Sequence, residues 1–141
     1  MELNTKYPLV SVIMNCHNGD KYLDEALSSV IQQTYKNWEI IFWDNASTDN
    51  SFSVLKKYMS DRIKYYKSEK MISLGSARNL AIEKARGSII GFLDVDDIWF
   101  PEKLEKQLPI FKNKSISVVI SDTFFFENDK IVKQLYKYKK P

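Results

Sequence analysis

Residues 87–101 read Gly-Ser-Ile-Ile-Gly-Phe-Leu-Asp-Val-Asp-Asp-Ile-Trp-Phe-Pro, and the rest of the predicted fold is organised around them. The apolar run 89–93 has the length and composition of a strand buried on both faces. Asp94, Asp96 and Asp97 follow directly. Carboxylates this close repel one another unless a positive group lies between them, and Mg²⁺ or Mn²⁺ accepts oxygen ligands of this kind. An acidic turn before a helix cap is the alternative, and the triplet alone does not decide between the two.

Composition limits the class of protein. The chain has 141 residues, enough for one domain with a sizeable core, and an apolar content of 44%, which argues against disorder. The net charge of +3 is too small for the dense basic stripe of a nucleic-acid binder, so we expect no nucleic-acid partner. The single cysteine, Cys16, excludes an intramolecular disulfide and a thiolate metal site.

The chain termini bear on location. Residues 1–8 lack the apolar core of a signal peptide, and no apolar run approaches the ~20 residues that span a bilayer. We therefore expect a cytoplasmic protein, with the inner surface of the membrane as the alternative. The tail 136–141, rich in tyrosine and lysine, is suited to peripheral membrane contact, although a solvated terminus is the better interpretation.

Short apolar runs alternate with helical patterns along the chain. The runs with strand composition are 9–14, 38–43, 62–66, 89–93 and 117–120. Between them apolar residues recur with helical spacing, as Leu23, Leu27 and Val30 do in the first helix. This alternation predicts an α/β fold with an open, mainly parallel sheet and helices on both faces. We expect a single domain with a core over 8–122, a hairpin over 123–135 and the basic tail.

Local signals predict the helix boundaries. We expect Asn18 or Asp20 to cap the first helix. A later helix should run over residues 73–86 and end with Gly87 as its C-cap. Pro109 should kink or end the helix in which it lies.

Polar clusters follow three of the predicted strands directly, at residues 15–18, 44–49 and 94–97. In an open parallel sheet ligands bind beyond the carboxyl ends of the strands, so folding should gather the three clusters on one rim. None of the four glycines has the spacing of a Rossmann fingerprint or a phosphate loop. A diphosphate bound here must therefore be held by a metal and side chains.

These segments, in this order, resemble the family 2 glycosyltransferases with the GT-A fold, over residues 10 to about 122. The matching blocks are 12–18, 41–49, 75–79 and 93–97, and the last contains an Asp-x-Asp motif. The resemblance implies transfer of a sugar from a nucleotide-diphosphate sugar, a UDP-sugar being favoured, to a hydroxyl of a saccharide or lipid-linked acceptor. It also implies Mn²⁺ or Mg²⁺ as cofactor and an inverting mechanism.

The resemblance also assigns site residues. The nucleotide-sugar-binding residues that it implies are Asn15, Cys16, His17, Asn18, Asp44, Arg78, Asp94 and Asp96, and the metal ligands are Asp96 and Asp97. Asp44 would contact the base, and Arg78 would lie near the diphosphate or base, where its permanent charge suits anionic oxygens. A turn residue at Asp44 and a solvated helix arginine at Arg78 are the alternatives.

The chain departs from the family pattern in two places. Asn45 replaces the second acid of the usual Asp-Asp pair and is expected to weaken or alter base selection. The chain also ends at Pro141, so the general base is expected to be absent, and Asp122, Glu127 and Asp129 do not lie at its distance. Two alternatives stay open: the donor-binding domain of an enzyme, and a non-catalytic nucleotide-sugar-binding module. A partner chain that covers the edge of a truncated sheet is a further alternative.

Overall fold

A computed structural model describes residues 8–127 and 130–134, which fall into two compact units, one ending at Lys106 and the other beginning at Gln107. The helices and strands are β1 (Val10–Cys16), α1 (Asp20–Ile31), β2 (Trp38–Asp44), α2 (Ser51–Lys56), β3 (Ile63–Lys67), α3 (Leu74–Ile82), β4 (Ile89–Phe92), α4 (Lys103–Gln107), a 3₁₀ helix (Leu108–Lys112), β5 (Phe124–Glu127) and β6 (Lys130–Gln134). None of the helices in the described residues has both the length and the apolarity needed to cross a bilayer.

Four parallel strands form the sheet of the first unit, in the order β3-β2-β1-β4. Strands β1 and β2 pair from Val10 opposite Trp38 to Cys16 opposite Asp44. Both strands are almost entirely buried, as expected for central strands of a parallel sheet that helices flank. The predicted α/β fold with an open, mainly parallel sheet is confirmed.

A buried carboxylate fixes the amino-terminal end of this sheet. Glu39 on β2 is 1% exposed and accepts hydrogen bonds from the Ser11 hydroxyl at 2.7 Å and from the Arg86 N–H at 2.8 Å. The Arg86 guanidinium donates two more, from Nε at 2.9 Å and Nη2 at 2.6 Å. Burial alone would raise the pKa of Glu39, but these hydrogen bonds and the arginine charge lower it overall. Glu39 therefore joins β1, β2 and the turn before β4 as an ionised group.

Two strand predictions were wrong. Strand β4 is not buried on both faces: Ile89, Ile90 and Gly91 are partly exposed and Phe92 is 49% exposed, because β4 lies at the edge of the sheet that the described residues form. Residues 117–120 form no strand in the described part of the chain, although their composition favours one. Strand propensity reflects the fit to a half-buried pleated surface, and a segment without a neighbouring strand has no such surface.

Gly87 has a different role from the predicted C-cap. Helix α3 ends at Ile82, five residues before it. A Cβ at position 87 would lie 2.6 Å from the Leu9 carbonyl oxygen and 2.7 Å from the Ser11 nitrogen. Glycine is needed there because the chain crosses β1 at backbone contact distance.

The cap of α1 was also predicted wrongly, whereas two predictions around the second unit hold. The N-cap of α1 is Gly19, with no side-chain cap hydrogen bond, so neither Asn18 nor Asp20 caps the helix. Helix α4 gives way to a 3₁₀ helix that contains Pro109, as that proline predicted. Strands β5 and β6 form the predicted antiparallel hairpin. The tail 136–141 lies outside the described residues, as does Asp129.

We expect Glu39→Gln to lower the free energy of unfolding by about 2 kcal/mol at neutral pH, because hydrogen bonds to a charged acceptor contribute about 1.5–3 kcal/mol. The pKa of Glu39 is lowered on folding. Its charge therefore stabilises the fold above the unfolded pKa of about 4.3, and this contribution is lost as pH falls through the folded value. Urea denaturation should show a deficit that shrinks below about pH 4. Glu25→Gln, exposed on α1, is the control, and a deficit independent of pH would contradict the assignment.

Candidate functional site

Three polar loops follow the carboxyl ends of β1, β2 and β4, and together they form one rim of the sheet. We call them loop 1 (residues 15–19), loop 2 (44–50) and the acidic loop (94–97). The Asn45 N–H donates to the Cys16 carbonyl at 2.7 Å, which joins loop 2 to loop 1. A Cβ on Gly19 would lie 2.7 Å from Val95 Cγ2, so loop 1 packs against the acidic loop with no room for a side chain. Folding thus brings the three predicted clusters to one rim.

Asn18 links loop 1 to loop 2 instead of capping α1. Its backbone has a φ of 55°, a left-handed conformation that asparagine tolerates better than most residues. Its Oδ1 accepts from the Thr48 N–H at 2.8 Å and from the Asp49 N–H at 3.3 Å, and its own N–H donates to Ser47 Oγ at 3.0 Å. Nearby, His17 Nδ1 lies 2.8 Å from the Asn45 carbonyl oxygen. Both predicted polar residues therefore hold the two loops together.

Asp44 is the buried centre of loop 2. It is 1% exposed, and its Oδ1 accepts from the Ser47 N–H at 2.7 Å. Its Oδ2 accepts from the Tyr65 hydroxyl at 2.9 Å and lies 3.6 Å from Lys67 Nζ. Burial and the hydrogen bond to Asp44 raise the pKa of Tyr65. Both carboxylate oxygens have protein partners, and Lys67, whose side chain is 49% exposed, carries the network to the surface.

Arg78 reaches the acidic loop from the second turn of α3. Its Nη2 donates to Asp94 Oδ1 at 2.8 Å, and its guanidinium lies 5.6 Å from the centre of the Phe92 ring. The two side chains of the ion pair are 34% and 52% exposed. The structure therefore brings together two residues that the sequence analysis had placed at the site separately.

The acidic loop carries more negative charge than Arg78 balances. Asp94, Asp96 and Asp97 are all exposed. Partial burial of the Asp97 carboxyl, followed by the charges of Asp96 and Asp94, raises its pKa even so. No group of three or more His, Cys, Asp or Glu side chains is arranged to hold a metal within residues 8–127 and 130–134. The donor set is nevertheless all carboxylate, which suits Mg²⁺ or Mn²⁺ when phosphate oxygens complete the coordination, so the residues fit such an ion.

Two further predicted residues lie beneath the rim. The amide nitrogen of Asn15 is buried and has no hydrogen-bond partner among the described residues. An unpaired buried donor costs about 1–3 kcal/mol, so an acceptor on a bound ligand would relieve it. Cys16 is 1% exposed, with its Sγ 3.4 Å from Ser51 Oγ, and burial raises the pKa of its thiol. Cys16 therefore packs as a protonated thiol rather than acting as a nucleophile.

Sequence reasoning missed Gln33, which fixes the chain after the acidic loop. Its side chain is fully buried, its Nε2 donates to the Phe100 carbonyl at 2.8 Å and its Oε1 accepts from the Leu104 N–H at 3.1 Å. It missed Tyr65 and Lys67 as partners of Asp44 as well. No local signal marks such residues, because each acts through a contact between distant parts of the chain.

The family model described as Glycosyl transferase family 2 matches residues 11–140. The chain belongs to glycosyltransferase family 2. Among curated family 2 relatives, it is 37% identical over 124 residues to the UDP-Glc:alpha-D-GlcNAc-diphosphoundecaprenol beta-1,3-glucosyltransferase WfgD of Escherichia coli, which covers 88% of this chain and 49% of that protein. The chain spans about half the length of curated relatives that it matches.

Solved structures agree with the family 2 assignment. S. aureus TarS 1-349 in complex with UDP-GlcNAc is 29% identical, with a TM-score of 0.70 over 73% of this chain and 31% of that one. The mannosyltransferase PcManGT from Pyrobaculum calidifontis, in complex with GDP-Man and Mn²⁺, is 25% identical, with a TM-score of 0.62 over 70% and 31% of the two chains. The GT-A fold that the resemblance implied is confirmed.

We expect Tyr65→Phe to lower the free energy of unfolding by about 1–2 kcal/mol, because buried Asp44 loses a hydrogen-bond donor. The ring stacked on Phe42 is kept. Tyr66→Phe is the matched control, because Tyr66 lies on the same strand and stacks on Trp43. Urea denaturation measures both variants, and equal stabilities would show that the Tyr65 hydroxyl does not support Asp44.

Proposed function

We propose that this chain is the donor-binding domain of a glycosyltransferase that moves a sugar from a nucleotide-diphosphate sugar to an acceptor hydroxyl. The observation that carries the proposal is the convergence of loop 1, loop 2 and the acidic loop on one rim of a parallel sheet in a family 2 chain. A base, a diphosphate and a cation need different chemistry. The three loops, with Arg78 and Lys67 bound to them, place polar, cationic and acidic side chains next to one another.

The base and ribose belong at loops 1 and 2 in this proposal. An uncharged base is selected by directional donors and acceptors, and the unpaired amide nitrogen of Asn15 is such a donor. Asp44 contributes to base binding through its network of hydrogen bonds and an ion pair, whose exposed member is Lys67. We favour a UDP-sugar, because TarS binds UDP-GlcNAc and WfgD is named for UDP-Glc.

The diphosphate belongs at the acidic loop. Asp96 and Asp97 would hold Mn²⁺ or Mg²⁺, and PcManGT, which contains Mn²⁺, supports this assignment. A cation bound there supplies charge neutralisation for the departing nucleoside diphosphate. Arg78 has five N–H donors, and its bond to Asp94 uses one of them, so it is able to bind a phosphate oxygen as well.

The acceptor is proposed to be a saccharide or a lipid-linked saccharide, attacked with inversion at the transferred sugar. A carboxylate general base would take the proton from the acceptor hydroxyl. In this proposal the acidic-loop carboxylates bind the donor and the metal, so none of them is left to act as the base. We therefore place the base elsewhere in the enzyme.

Calorimetric titration of UDP and of GDP, with and without Mn²⁺, tests the donor site. We expect saturable UDP binding that requires Mn²⁺ and that Asp97→Asn weakens at least about tenfold, since the amide removes a charged ligand without changing side-chain shape. Asp61→Asn, exposed in the turn before β3, is the control.

Metal-independent UDP binding, or equal affinity in Asp97→Asn and the parent, would contradict the metal assignment. Failure of both nucleotides to bind under every condition would contradict a donor site in this chain.

A further inference from the structure

The side chain of Asn45 is committed to the backbone of one distant residue. Its Nδ2 donates to the Ile72 carbonyl at 2.8 Å, and its Oδ1 accepts from the Ile72 N–H at 3.0 Å. Asn45 is 6% exposed. Both polar atoms are therefore occupied within the protein, so any effect of Asn45 on base selection acts through position rather than through contact with the base.

The backbone of Asn45 is bound in the other direction, to loop 1. Its N–H donates to the Cys16 carbonyl at 2.7 Å, and its carbonyl oxygen lies 2.8 Å from His17 Nδ1. Ala46, the next residue, has a φ of 60°, a left-handed conformation that is unfavourable for a residue with a Cβ. The contacts of Asn45 hold this bend in place.

Ile72 in turn determines where α3 begins. The residue after it, Ser73, is the N-cap of α3, and its hydroxyl accepts from the Ser76 N–H at 3.2 Å. Ile72 also packs against the core cluster that contains Trp43 and Ala77. Arg78 follows one turn further along the helix and binds Asp94. A shift of Ile72 would therefore move Arg78.

We propose that Asn45 is a positioning residue of the donor site, which locks loop 2 to the start of α3 and so holds Arg78 against the acidic loop. The identity of the ligand in this inference rests on the proposed function. The contacts of Asn45 with Ile72 and with loop 1 are independent of it. Asparagine matches this position because the Ile72 backbone presents one donor and one acceptor to the same side chain. An aspartate at this position would set a carboxylate oxygen against the Ile72 carbonyl oxygen.

The pH dependence of a carboxyl introduced at position 45 distinguishes hydrogen bonding to Ile72 from a general packing role. An ionised carboxylate only accepts hydrogen bonds, whereas a protonated one has one donor and one acceptor, as the amide has. In Asn45→Asp the introduced group therefore has a raised folded pKa. Its stabilising contribution is present below the unfolded value of about 3.9 and is lost as pH rises through the folded value.

The titratable groups around this position are His17 on the Asn45 carbonyl, Cys16 on the Asn45 N–H through its own carbonyl, and Asp44 next to it, with Tyr65 and Lys67 bound to Asp44. They are the same in parent and variant. Each measurement on Asn45→Asp is therefore compared with the parent at the same pH.

The experiment measures UDP affinity in the presence of Mn²⁺ and the thermal unfolding midpoint at about pH 5.5 and about pH 8, with affinities taken at a temperature at which all variants are folded. Relative to the parent, Asn45→Asp should bind UDP about tenfold more weakly at the higher pH and recover at the lower one. Asn45→Ala should be weaker at both. Asn113→Asp, the same charge change at an exposed residue outside the three loops whose Oδ1 accepts from Ser115 and could still do so as a carboxylate, should match the parent.

An Arg78→Ala background shows whether the effect passes through the arginine. If it does, adding Asn45→Asp to Arg78→Ala should weaken UDP binding further by much less than about tenfold. Full additivity, or equal UDP affinity of Asn45→Asp and the parent at the higher pH, would overturn the positioning role. If the parent binds no UDP, the proposed function fails. The unfolding midpoints then still test the pairing of Asn45 with Ile72. Equal midpoints for Asn45→Asp and Asn113→Asp at the higher pH would overturn the pairing with Ile72.

Discussion

The parallel register of β1 with β2 is the constraint on which the site depends. It sets Cys16 opposite Asp44, so loops 1 and 2 leave the sheet at the same level and their backbones come within hydrogen-bonding distance. At the other end of the same two strands, ionised Glu39 joins Ser11 to Arg86 and opposes a slip of the register. A shift of one residue would turn each side chain to the opposite face and separate the two loops.

The acidic loop depends on this pair of loops for its position and on electrostatics for its chemistry. Gly19 allows Val95 to pack against loop 1, and Gln33 holds the chain downstream of the carboxylates. Between these two attachments the carboxylates repel one another, and Arg78 balances one charge. The fold thus holds a charge imbalance of the kind that Mg²⁺ or Mn²⁺ neutralises when carboxylates bind it, and the solved neighbour PcManGT is in complex with GDP-Man and Mn²⁺.

Sequence patterns predicted what is local, and they failed where a residue acts through distant contacts. The alternation of strands and helices and the polar clusters after three of the strands follow from periodicity and turn chemistry, and both are present. Gly and Asn are residue types common at helix caps, which is why Gly87 and Asn18 were predicted as caps. Their actual roles depend on distant contacts, that of Gly87 with β1 and that of Asn18 with loop 2. Lys67 became a partner of Asp44 only through the register of β3 with β2. Residues 117–120 have strand composition but no strand partner in the described part of the chain.

Paramagnetic relaxation by Mn²⁺ measures most directly where metal and nucleotide bind, because Mn²⁺ broadens the NMR signals of nearby amides. We expect UDP and Mn²⁺ together to broaden the amide signals of residues 94–97 and of Gly19, which packs against Val95. Mn²⁺ without UDP should broaden them less, since phosphate oxygens complete the coordination. Broadening at another surface, or unchanged signals at residues 94–97 and Gly19, would contradict a shared donor and metal site at this rim.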